Sequence, residues 1–176
     1  MHRRRTIRAI LAFVLAVPGL PSRAQVGTRV DAPPRASRRP RLHALPPAVD
    51  LAADAVASRA RRVPILLMFD RDDCPYCERA LREHLVPMSR DAPWRDDALF
   101  RQVEVDKALP VVDFDGSATT HRAIAARYGA TLTPTIFVVD ASGTSIAEPV
   151  VGLLTADFYG AYLDDALKKG LAKLRN

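Results

Sequence analysis

The stretch ILLMF at residues 65–69, preceded by Pro64 and followed by DRDDCPYC, constrains this chain more than any other. Five apolar residues between a proline and a polar cluster are too few for a helix and suit a strand buried on both faces. Residues 74–88 then read as a helix, with Pro75 in its first turn, where a missing N–H is no loss. A second strand over residues 99–105 completes a βαβ unit, which forces two parallel strands joined by a right-handed crossover. Residues 119–128 read as a helix closed by Gly129, and TIFVV (135–139) as a strand that turns at residues 140–143 into another ending near Val151. A first helix over residues 47–61 would place Leu51, Ala52, Ala55 and Val56 on one side. A last helix, capped by Thr155, would carry a stripe of Phe158, Tyr159, Tyr162, Leu163, Ala166, Leu167, Leu171 and Leu174. The expected class is α/β, with a mixed four-stranded sheet flanked by helices.

The amino end reads differently. Residues 1–24 hold an arginine-rich opening, an apolar run from residue 9 to 17, and Ser22-Arg23-Ala24, which offers small residues for a cut after Ala24. That is the layout of a secretory signal peptide, and the run is too short for a membrane span. Residues 25–45 are rich in proline and arginine, lack apolar periodicity and read as a flexible linker. The formal charge of +6 belongs to these two segments, because residues 46–176 hold 16 basic and 19 acidic side chains, a net of −3. A nucleic-acid-binding domain is therefore not expected. One domain over residues 46–176 remains, without internal repeats and long enough to bury a real core.

Both cysteines of the chain, Cys74 and Cys77, lie in CPYC at the start of the helix that follows the first core strand. In α/β proteins the carboxyl end of the sheet, where this helix begins, is where chemistry gathers. Residues i and i+3 at a helix start share a face, close enough for a disulfide. Cys77 shares the inward stripe of Leu81, Leu85 and Met88, whereas Cys74 sits at the tip, where free N–H groups and the helix dipole stabilise a thiolate. This makes Cys74 the nucleophile and Cys77 the resolving thiol. A structural bridge is the plain alternative, but closing a four-residue loop stabilises by only about 2 kcal/mol, against about 4.7 for a 100-residue loop. A metal site completed by His84, His121, Asp72 or Asp73 is the other rival. It lacks the second pair of ligands that structural zinc takes, so no metal and no bound cofactor is expected.

With CPYC behind an apolar strand, and GATLTPTIFVVDASG at residues 129–143, the chain resembles the thioredoxin superfamily over about residues 47–174. The resemblance implies the thioredoxin fold, with Pro134 in a cis bond beside the cysteine pair and the backbone of Thr133 free to pair with an extended substrate. The chain looks most like secreted or periplasmic SoxW-type proteins. Two positions depart from the family: Met68 stands where many members have a buried carboxylate, and Gln102 where they have a lysine. Glu104, Asp72, Asp73 or water could then move the proton at the resolving thiol. The Pro-Tyr dipeptide is that of glutaredoxins, which makes a glutathione-dependent reductase one alternative; a non-catalytic binding module on the same fold is another.

The function expected is a periplasmic or secreted thiol–disulfide oxidoreductase acting as a monomer on protein disulfides or thiols. Its electrons would come from a membrane-bound thiol reductase. Cys74 and Cys77 are the expected catalytic pair; Pro75, Tyr76, Thr133 and Pro134 are the expected substrate-binding residues. Tyr76 could shape access or merely pack. His84 reads as a boundary residue, Trp94 as an anchor for a surface loop, and the acids of DRDD as opponents of a Cys74 thiolate.

Overall fold

The computed structural model describes residues 43–153 and 155–176. The expected signal peptide (1–24) and most of the expected linker lie outside the described residues. Leu45, assigned to the end of that linker, is buried in the core.

The chain runs α1 (Leu51–Arg61), β1 (Ile65–Asp70), α2 (Pro75–Ala80), α3 (Val86–Arg90), α4 (Trp94–Asp97), β2 (Leu99–Glu104), β3 (Pro110–Val112), β4 (Ala118–Thr120), α5 (His121–Arg127), β5 (Thr135–Val139), β6 (Val150–Val151) and α6 (Tyr159–Arg175). A π-helical turn at Leu81–Leu85 joins α2 to α3, so one continuous helix runs down from Cys74. The sheet has the order β2-β1-β5-β6, with β1 parallel to β2 and antiparallel to β5, and β6 antiparallel to β5. The expected mixed four-stranded sheet is therefore present. Its central strand β1 is buried at all six positions, which explains the unbroken apolar run.

Strand alternation sends Leu66 and Met68 to one face, where they pack with the helix that starts at Cys74 and with α6. Ile65, Leu67 and Phe69 face the other way, into a second cluster with Leu51 of α1 and Ile124 of α5. Both faces of the sheet are covered.

Three local expectations need correction. Helix α1 begins at Leu51, because Asp50 caps it by accepting from Ala53 N at 2.8 Å. Its inner face is Leu51, Asp54, Ala55 and Ser58, while Val56 is 61% exposed. Asp54 can lie inside because Arg101 of β2 donates to both its carboxylate oxygens. Thr155 is not the cap of α6: a 3₁₀ turn, Ala156–Phe158, leads into that helix, and no side chain caps it. The inner stripe of α6 is Tyr159, Leu163, Ala166, Leu167 and Gly170, whereas Phe158 and Tyr162 face solvent. Finally, the helix expected over residues 119–128 begins at His121 with Thr120 as its cap, because Thr119 and Thr120 belong to a small hairpin, β3–β4, whose three-residue strands are too short to show alternation.

Candidate active site

The site is built where β1 ends. Asp70 closes the strand, residues 71–73 turn, and Cys74 stands as the N-cap of α2 with extended backbone (φ −119°, ψ 95°). Pro75 occupies the first turn as expected. Cys74 and Cys77 are joined as a disulfide with Cα atoms 5.2 Å apart. Cys77 is 1% exposed and Cys74 6%. The order of exposure follows the sequence reading, but both sulfurs sit deeper than a tip position suggests.

Cys74 Sγ accepts from Cys77 N–H at 3.1 Å, so a helix-terminal donor is already aimed at the atom on which negative charge would develop. A second donor comes from the loop before the neighbouring strand β5: Thr133 Oγ1 lies 3.5 Å from Cys74 Sγ. The Thr133 carbonyl oxygen lies 3.6 Å from the same sulfur, which is a contact only, because a disulfide sulfur has no proton to give. The Thr133–Pro134 peptide bond is cis, Pro134 is buried and Thr133 is half-buried. Gly152 N donates to the Pro134 carbonyl at 2.7 Å, which ties this loop to the end of β6. The structure therefore brings Cys74, Cys77, Thr133 and Pro134 together. Pro75 is exposed, and Tyr76 projects into solvent at 63% exposure.

The charges around Cys74 are partly balanced. Lys107, in the loop after β2, pairs with Asp72 at 2.7 Å, which blunts the repulsion expected from the DRDD acids. Its hydrogen bond to Asp72 holds the Lys107 ammonium above its ordinary pKa. Nothing local in the sequence marks this lysine, because loop geometry sets the pairing across 35 positions.

Met68 and Gln102 are register partners on adjacent parallel strands. Gln102 Nε2 donates to Asp70 Oδ2 at 2.7 Å, and Gln102 Oε1 accepts from Leu45 N at 3.0 Å. Asp70 is fully buried and, two residues after Met68, shares the strand face that packs against the cysteines. Sequence reasoning missed it, since a residue that ends an apolar run and opens a polar loop reads as solvated. Glu104 is nearly buried and is the register partner of Asp70.

The remaining candidates have structural roles. His121 is buried, with Nδ1 accepting from Glu104 N at 3.0 Å and Nε2 donating to Ala48 O at 2.7 Å. Trp94 opens the short helix α4 rather than sitting in a surface loop, and ties it to α6 by donating from Nε1 to Asp164 Oδ1 at 3.0 Å. His84 is half-buried in the π turn, edge-on to Tyr159 with ring centroids 5.2 Å apart. Burial lowers its pKa from the ordinary 6.5, with Glu83 opposing and Arg79 adding to the shift. The unfolded chain therefore takes up this proton first, and stability falls as pH drops below about 6.5 toward the folded value. Between pH 7.5 and 5.5 the thermal midpoint of the wild type should fall further than that of His84→Gln. Equal falls would show that His84 does not contribute.

Fold and site together define an α/β protein carrying a Cys-x-x-Cys pair at a helix start, opposite a cis-proline loop. Residues 51–167 match the family model of the thioredoxin-like domain, and the chain belongs to that family. No curated protein sequence matches it. Among solved structures, it is similar to mitochondrial thioredoxin 3 from Saccharomyces cerevisiae in its oxidised form. That match has 17% identity over 70% of this chain and 93% of that one, with a TM-score of 0.48. The oxidised C-terminal domain of DsbD from Neisseria meningitidis matches at 22% identity over 68% and 98% of the two chains, with a TM-score of 0.45. Periplasmic thioredoxin SoxS from Paracoccus pantotrophus, in its reduced form, matches at 19% identity over 60% and 97%, with a TM-score of 0.42. Among the described residues, no helix is long and apolar enough to cross a membrane.

Proposed function

We propose that this protein is an exported, periplasmic or secreted thiol–disulfide oxidoreductase that exchanges disulfides with other proteins, in the manner of SoxW-type proteins. The observation that carries this reading is the setting of Cys74 Sγ, with the Cys77 N–H at 3.1 Å and Thr133 at 3.5 Å. In the reduced protein, the Cys74 thiolate attacks one sulfur of a substrate disulfide, and the other sulfur leaves as a thiolate. Cys77 gives up its proton and attacks Cys74 Sγ, forming the intramolecular disulfide and releasing the substrate as a dithiol. Two electrons pass to the substrate, and two protons follow them. Run backwards, the same steps oxidise a dithiol.

Substrate would lie in extended form along Thr133, pairing with its backbone, while Pro75, Tyr76 and Pro134 shape the approach. Arginine-rich residues 1–24 act as the export signal. A membrane-bound thiol reductase resupplies the electrons, and the protein works as a monomer.

The test is a trap. A Cys77→Ser variant can attack but cannot release, so incubation with a periplasmic extract should accumulate mixed disulfides at Cys74 that dithiothreitol dissolves. Failure to capture any protein, with Cys74 confirmed as a free thiol, would contradict the reading.

A further inference from the structure

Tyr159 opens α6 with its side chain inside the protein, 1% exposed. Its hydroxyl has no hydrogen-bond partner among the described residues. A buried phenol without a partner carries a desolvation penalty that phenylalanine of the same shape would avoid. Native structures rarely retain such an atom without a reason.

Its position suggests one. Tyr159 belongs to the cluster that holds Met68, Cys74, Cys77 and Ala80. Its ring meets His84 edge-on, and a Cβ on Gly160 would stand 3.2 Å from His84 Nδ1. The first turn of α6 therefore lies against the helix that begins at Cys74. Helix α6 also starts at the cysteine end of the sheet, a few residues after Gly152 bonds to Pro134. Helical side chains lean toward their own amino end, which for Tyr159 is the cysteine end of the sheet.

We propose that the Tyr159 hydroxyl is a redox-dependent hydrogen-bond donor to the Cys77 sulfur, unsatisfied while the disulfide is closed and satisfied once it opens. Reduction by two molecules of glutathione breaks the Cys74–Cys77 bond, leaves two thiols and yields one glutathione disulfide. The freed Cys77 sulfur accepts a hydrogen bond better than a disulfide sulfur does, most of all as a thiolate. Burial pushes the phenol well above its usual pKa, so it keeps its proton and can donate it. Tyr159 is thus a positioning residue that favours the dithiol and steadies Cys77 in the anionic form it needs for resolution. The inference rests on the redox reading of the cysteine pair.

The experiment measures the redox equilibrium of wild type and Tyr159→Phe in glutathione buffers, and the thermal midpoint of each redox form. Tyr159→Phe should shift the equilibrium constant about tenfold toward the disulfide, a potential lower by about 30 mV. Its oxidised form should be at least as stable as the wild type, and its reduced form less stable. An unchanged constant, or a shift toward the dithiol, overturns the inference while leaving the redox reading standing. A wild-type pair that does not equilibrate with glutathione overturns both.

Discussion

Replacing Cys74 with serine should reduce the turnover of insulin disulfides to the uncatalysed background. Serine preserves the volume and the N-cap acceptor, so the helix start survives, but an alkoxide is not available at neutral pH to attack a disulfide. The fold should survive as well, because the bridge closes only a four-residue loop and contributes about 2 kcal/mol. Cys77→Ser should also fail in turnover, for a different reason: attack proceeds, and the mixed disulfide stays. The two variants therefore separate on a non-reducing gel with a labelled disulfide substrate, where only Cys77→Ser retains label. Substantial turnover by Cys74→Ser would assign the nucleophile elsewhere.

Phe69→Ala should cost about 3–5 kcal/mol, the range for truncating a buried phenylalanine. Phe69 is fully buried on β1, with its ring 5.7 Å from Phe137 in an edge arrangement and 5.3 Å from Tyr128. The site can collapse little, because Phe69 is hydrogen-bonded between β2 and β5, with Val103 and Thr135 as register partners. In a domain of this size the loss corresponds to a fall in thermal midpoint of more than about 10 °C. Urea unfolding should show the same loss with little change in slope, while Phe69→Leu loses much less. A cost under about 1 kcal/mol would mean that this aromatic cluster is not part of the stabilising core.

Much of this was legible before the structure because the signals were local. Residues 65–69 are a continuous apolar run between a proline and a polar loop, and only a central strand needs both faces apolar. The Cys74–Cys77 spacing and Pro75 fix a helix start within four residues. What stayed hidden depends on partners distant in the chain. Asp54 lies inside because Arg101, on another strand, meets it, so a polar residue took the place expected of Val56. Lys107 reaches Asp72 only once β1 and β2 lie side by side. Asp70 is buried under the loop that it opens, bonded to Gln102 of the neighbouring strand. The hairpin at residues 110–120 has three residues per strand, too few for a period of two to stand out.

The amino end of the helix at Cys74 is expected to make that sulfur acidic. The most direct measurement is the rate of Cys74 alkylation by iodoacetamide against pH, in the reduced Cys77→Ser variant so that one thiol reports. The expected result is a titration midpoint below about 7.5, in the range of thiolates at helix starts. A midpoint at or above about 8.5, that of an ordinary thiol, would contradict it.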